Sequence, residues 1–192
     1  INNNEGDGIF NGGSTYNAVI DNVTIDSNTG IGIQRLYNST LTNSTISNNL
    51  SGGLREVYNS SIQNVLIDGN KLVAGTVGSD HVDGAGISLM QNSILTNVTI
   101  KNNSTTSGHG GGIHLYVGGV NTFENVTITN NYALFGGGIA LYGDNVDINF
   151  SDTDKNNIYE NWSTESSSGA GIALVKGSAP VISKNLIHHN GP

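Results

Sequence analysis

Three sets of residues have types and spacings that could do chemistry. The position after each Gly-aliphatic pair is filled in turn by Gln34, Arg55, Ser88, His114, Ala140 and Ala173. On one face this row offers Arg55 or His114 as a base for polysaccharide cleavage. A lyase also needs carboxylates there to hold Ca²⁺, and a glycoside hydrolase needs two acids a few ångströms apart. The row contains no carboxylate. The second set is Asp80, His81, Asp83, His109, Tyr132, Phe135 and Trp162, which fall in the variable stretches 71–83, 104–110, 132–135 and 162–168. Rings beside acids and imidazoles suit a glycan groove, and loops commonly carry function. The plainer account is loop variation, with the rings covering the core, since exposed apolar residues are ordinary. The third set is Asp152, Asp154 and Asn156, which follow the opening of a D-x-D-x-N calcium loop. Asn157 stands where that loop wants Gly, no Glu follows at its twelfth position, and the stretch runs into the core position Ile158. Ca²⁺ is the one cofactor to consider.

These residues must be positioned by a repeat. Ile-x-x-Asn recurs at Ile1/Asn4, Ile25/Asn28, Ile46/Asn49, Ile67/Asn70, Ile100/Asn103, Ile128/Asn131, Ile158/Asn161 and Ile187/Asn190, with steps of 24, 21, 21, 33, 28, 30 and 29 residues. It alternates strictly with Gly followed by a large aliphatic residue, from Gly8-Ile9 to Gly171-Ile172. Fixed frames with tolerated insertions describe a coil with loops at its corners. Apolar residues alternate with polar ones over a few positions, as in Val23, Ile25 and then Asn28, or Ile113 and Leu115 around His114. That period-2 pattern is a half-buried strand, and no helical stripe is present.

One rung cannot bury its apolar face, whereas stacked rungs bury a continuous core with strands about 4.8 Å apart. Parallel crossovers are right-handed in about 98% of cases. The expected fold is all-β: a right-handed parallel β-helix of about seven rungs, each with three short strands, on the order of 35 Å long. The Asn column should form an amide ladder at one corner. The glycines should allow a corner where a Cβ would clash or φ must be positive. A leucine-rich repeat would need more leucines and a helical side. Thr24, Thr45, Thr99 and Thr127 form a partial outward row, interrupted by Leu66, Asn157 and Leu186, which is too irregular to argue ice binding.

Composition narrows the classes. The net charge is −8, with seven Lys and Arg in 192 residues. Nucleic acid needs a basic face and is excluded as a partner; polyanionic sugars are disfavoured for the same reason. There is no cysteine and no apolar run of membrane-spanning length. Of eleven Asn-x-Ser/Thr sequons, Asn38 and Asn59 at turns are the best acceptors, while Asn49, Asn103 and Asn161 belong to the ladder. Arg35 and Glu56, one rung apart, read as an ion pair on the wall of the coil, in the column of Leu89, Leu115, Leu141 and Leu174.

The pairs Asn102-Asn103…Gly110-Gly111-Gly112-Ile113 and Asn130-Asn131…Gly136-Gly137-Gly138-Ile139 resemble right-handed parallel β-helix repeats. They look most like the surface repeats of polymorphic outer-membrane and adhesin-like proteins; pectate-lyase-like enzymes share the coil. The resemblance covers the whole chain. It implies an extracellular or cell-surface location and a non-enzymatic, adhesin-like rod with a glycan as candidate ligand. A carbohydrate-active enzyme, lyase or hydrolase, is the alternative. Residues 1–192 are expected to form a single solenoid segment of a longer rod, because no amphipathic cap covers either end. Further rungs, a cap domain or copies of the chain would stack there.

Overall fold

The computed structural model describes residues 1–12, 17–73, 84–116, 118–143, 146–150, 155–165, 168–176 and 185–191. Strands from successive rungs pair in parallel into four sheets of seven, six, seven and four strands. The first sheet runs from Ile9–Phe10 through Ile33–Tyr37, Leu54–Tyr58, Ile87–Gln91, Ile113–Leu115 and Ile139–Tyr142 to Ile172–Lys176. The second begins at Val19–Asp21 and the third at Thr24–Asp26. The chain is a right-handed parallel β-helix, as the spacings predict. The addition is the fourth sheet, at the corner where the insertions fall.

Three inward columns make the core. Ile25, Ile46, Ile67, Ile100, Ile128 and Ile158 line the third sheet, Ile33, Leu54, Ile87, Ile113 and Ile139 the first, and Leu41, Ile62, Leu95, Phe123 and Phe150 the second; all are buried. Each such side chain contributes roughly 1.5–3 kcal/mol by leaving water.

Two polar ladders fix the corners. In the first, the Nδ2 of Asn4, Asn28, Asn49, Asn70, Asn103, Asn131 and Asn161 each donates to the next rung's Asn Oδ1, at 2.7–3.0 Å, ending on Asn190. The same oxygens accept the backbone N–H of the preceding rung's Asn, and from Asn49 onward Nδ2 also donates to an Ile carbonyl of the rung before. The second ladder has no sequence motif. Ser39 Oγ accepts from Ala18 N, Ser60 Oγ from Ser39 N, Ser93 Oγ from Ser60 N, and Asn121 Oδ1 from Ser93 N. Buried polar groups must be paired; each ladder oxygen accepts from a neighbouring rung, and the Ser39, Ser60 and Ser93 hydroxyls also donate to a carbonyl of their own rung.

Two expectations are sharpened. The glycine before each aliphatic residue is required by close approach and not by positive φ: a Cβ on Gly112 would lie 2.6 Å from the Gly138 carbonyl oxygen. The supposed column of Arg35, Glu56, Leu89, Leu115, Leu141 and Leu174 is not one column. Arg35, Glu56 and Leu89 adopt φ of 68°, 58° and 55° in mid-strand. That left-handed residue reverses the alternation, so Leu36, Val57 and Met90 point inward. Leu115 and Leu141 reach the core by plain alternation, and Leu174 is exposed.

Candidate functional site

The fourth sheet stacks Lys71, Ser104, Tyr132 and Trp162 in register. Alternation sends Leu72, Thr105, Ala133 and Ser163 inward, where they are buried, and leaves Tyr132 and Trp162 outward on adjacent rungs. Trp162 is 50% exposed. Three residues past Tyr132, Phe135 bridges to His109 of the preceding rung, and their rings stack at 5.0 Å and 17°. The structure thus gathers His109, Tyr132, Phe135 and Trp162 along one edge of the rod.

Beyond that edge, the outer face of the first sheet changes character along the rod. The predicted outward row is in register: Gln34, Arg55, Ser88, His114, Ala140, Ala173. Gln34 and Arg55 are partly exposed, whereas His114 is 1% exposed and Ala140 fully buried. The cover is the glycine run that precedes each strand. Gly110 and Gly136 take φ of 67° and 61° and fold back, so that a Cβ would meet the carbonyl oxygens of Ile113 and Ile139 at 2.1 and 2.5 Å. Rings close the cover: His109 lies 5.8 Å from both His114 and Tyr142, and Tyr142 stacks on Tyr116 at 5.4 Å. Tyr116 and Tyr142 were missed in the sequence. Their signal was present, since Ile113-His114-Leu115-Tyr116 and Ile139-Ala140-Leu141-Tyr142 share one frame.

On the uncovered half, Glu56 accepts hydrogen bonds from Arg35 Nε at 3.2 Å and from the Tyr37 hydroxyl. This is the expected ion pair with an added tyrosine. Tyr37 and Tyr58 stack at 4.9 Å. Burial, then the bond to Glu56, pushes the Tyr37 hydroxyl well above its usual pKa; burial likewise raises that of Tyr58.

The model of the right-handed β-helix region matches residues 1–128 and again 85–192. The chain belongs to this family. Neither a curated protein nor a solved structure matches it. The β-helix frame explains several of the remaining candidates. Asn156 faces the core, with Oδ1 accepting from Val126 N at 2.8 Å and Nδ2 donating to Phe123 O at 3.1 Å. Asp152 and Asp154 lie outside the described residues, as do Asp80, His81 and Asp83. Among the described residues no three His, Cys, Asp or Glu gather as a metal group, and no helix is long and apolar enough to cross a membrane. Asn38 and Asn59 are exposed at left-handed turns, while Asn49, Asn103 and Asn161 are buried in the β-helix ladder.

Proposed function

We propose that this β-helix segment is a non-enzymatic, extracellular or cell-surface rod of adhesin-like type, which contacts neutral glycans along its insertion corner. The supporting observation is the Asn ladder, which links eight rungs without a break while the stretches after it vary in length. A coil so regular inside and so varied along one edge suits a scaffold that displays that edge. Trp162, half exposed beside Tyr132, is the ring with the most accessible surface there for a sugar.

The catalytic alternative is less well supported. His114 is buried beneath the glycine cover, and Arg55 stands beside Glu56 with no second carboxylate in its row. The test is to incubate the chain with neutral and acidic polysaccharides, measuring both retention and new reducing ends or unsaturated products. Retention of a neutral polysaccharide, lost in Trp162→Ala, is expected without cleavage. Cleavage that disappears in Arg55→Ala or His114→Ala would overturn the rod reading.

A further inference from the structure

We propose that the uncovered half of the first sheet, at Arg55, is a docking surface for an acidic polypeptide segment. Arg35 and Arg55 are the only arginines in a chain of net charge −8, and they stand on adjacent rungs of this one face. They are not equivalent. The Glu56 carboxylate is engaged by Arg35 and Tyr37 through Oε2, and the Arg55 Nε lies 4.0 Å from its other oxygen. That nitrogen is buried and has no acceptor among the described residues. Arg35 is thus hydrogen-bonded to Glu56, while Arg55, its side chain 18% exposed, meets that carboxylate only as an ion pair at 4.0 Å, so its planar fork can still take a second carboxylate through two parallel N–H···O bonds.

The surroundings favour a polypeptide over a sugar. A sugar ring binds against an aromatic face. Here the faces of Tyr37 and Tyr58 lie against each other, with planes 10° apart, and the Arg35 guanidinium sits 5.1 Å over the ring of Phe10. Tyr37 and Tyr58 stay partly exposed beside arginine, and these are residue types that carry most of the binding energy at protein interfaces. Phe10, 56% exposed, adds an apolar anchor. The net charge of the rest of the chain repels an acidic segment, so its attraction is confined to this face.

The experiment titrates an N-acetylated hexaglutamate peptide into the ¹⁵N-labelled chain at about 150 mM salt and follows the arginine Nε–Hε signals. The expected result is a saturable shift of the Arg55 signal. Arg55→Gln should weaken binding about tenfold or more, with Lys101→Gln, a cation on the third sheet, unchanged. Arg55→Lys, which keeps the charge without the fork, should weaken it several-fold and serves if the Gln variant does not fold. No saturable shift, or equal binding in Arg55→Lys, would overturn the proposal. So would trigalacturonate binding as tightly as the peptide, since that would assign the face to acidic sugars. Trp162→Ala should leave peptide binding intact, so this result and the glycan result stand or fall separately.

Discussion

The Asn corner and the outer face of the first sheet follow opposite rules within one coil. At the corner, eight rungs repeat the same carboxamide with the same bonds, although the spacing between them varies from 21 to 33 residues. On the face, the rungs of left-handed Arg35 and Glu56 present charged side chains to solvent, and from Ser88 onward, beside left-handed Leu89, the outward row is buried under a glycine cover. The difference follows from where an unpaired group would end up. A buried amide that loses its partner costs its full desolvation, about 1–3 kcal/mol, so the corner tolerates no variation. An outward side chain falls back on water, and the face is free to diverge.

Asn103→Ala breaks the corner at mid-rod and should have the largest effect. Asn103 Oδ1 accepts from both the N–H and the Nδ2 of Asn70, and its Nδ2 donates to Asn131 Oδ1 and Ile67 O. Removing the amide strands donors on one rung and an acceptor on another. A loss of about 3 kcal/mol is expected in a denaturant titration. Asn64→Gly, which removes an exposed amide that bonds only Asn43 and Asn97 and keeps the left-handed turn, should cost less than about 1 kcal/mol. Equal losses would show that the two amide columns are equivalent and that burial does not explain the uniformity.

Gly112→Ala comes next. Its Cβ would lie 2.6 Å from the Gly138 carbonyl oxygen and 3.0 Å from Ile128 Cγ2, so two rungs must separate. About 2 kcal/mol should be lost, as for other overpacked sites. Gly6→Ala is the control, because nothing lies within 4 Å of its Cβ position. If the two variants melt alike, the rungs are not held as closely as the ladder bonds imply.

What could be read from the sequence divides along the same line. Ile-x-x-Asn and Gly-Ile exposed the coil, its inward columns and the ladder, because interior constraints repeat in every rung. The placing of Tyr132 beside Trp162 on adjacent rungs was legible for the same reason, since it needed only the register. The left-handed Arg35, Glu56 and Leu89 were not, because none of these residue types favours positive φ and the conformation is held by rung-to-rung pairing. Misreading them merged an outward row with an inward one. The glycine cover over His114 was hidden for a related reason. It depends on how a segment folds back over the sheet, and period-2 alternation carries no trace of that.

Tyr37→Phe probes the open half of the face and should be milder, about 1 kcal/mol at neutral pH for one hydrogen bond. Its pH dependence is more telling. The folded state raises the Tyr37 pKa above its ordinary value of 10.0, so the fold favours the neutral hydroxyl. That contribution is complete below about pH 10 and is lost as the pH rises further, because the unfolded chain ionises first. Unfolding midpoints measured between about pH 9 and 11.5 should fall less steeply in Tyr37→Phe than in the parent. Tyr58, also raised, should leave part of the slope in place. Identical slopes would mean that Tyr37 is not held on Glu56 in solution.

Thr127→Ala should have the smallest effect. Thr127 begins the third-sheet strand Thr127–Thr129, and its neighbours in register are Thr99 and Asn157. Its side chain is partly exposed, and the N–H that pairs with Val98 O survives the substitution. The row is already mixed, with Leu66 and Leu186 at equivalent positions, so the coil accepts an apolar residue there. Alanine gives up some β-propensity, a few tenths of a kcal/mol, and no buried group is left unpaired. A change within about 0.5 kcal/mol is expected in the titration used for Asn103→Ala. One turn separates this residue from the ladder, since Thr127 stands four positions before Asn131. A loss at Thr127 approaching that at Asn103 would therefore mean that outward positions are held as tightly as inward ones. The contrast between corner and face would then need a cause other than burial.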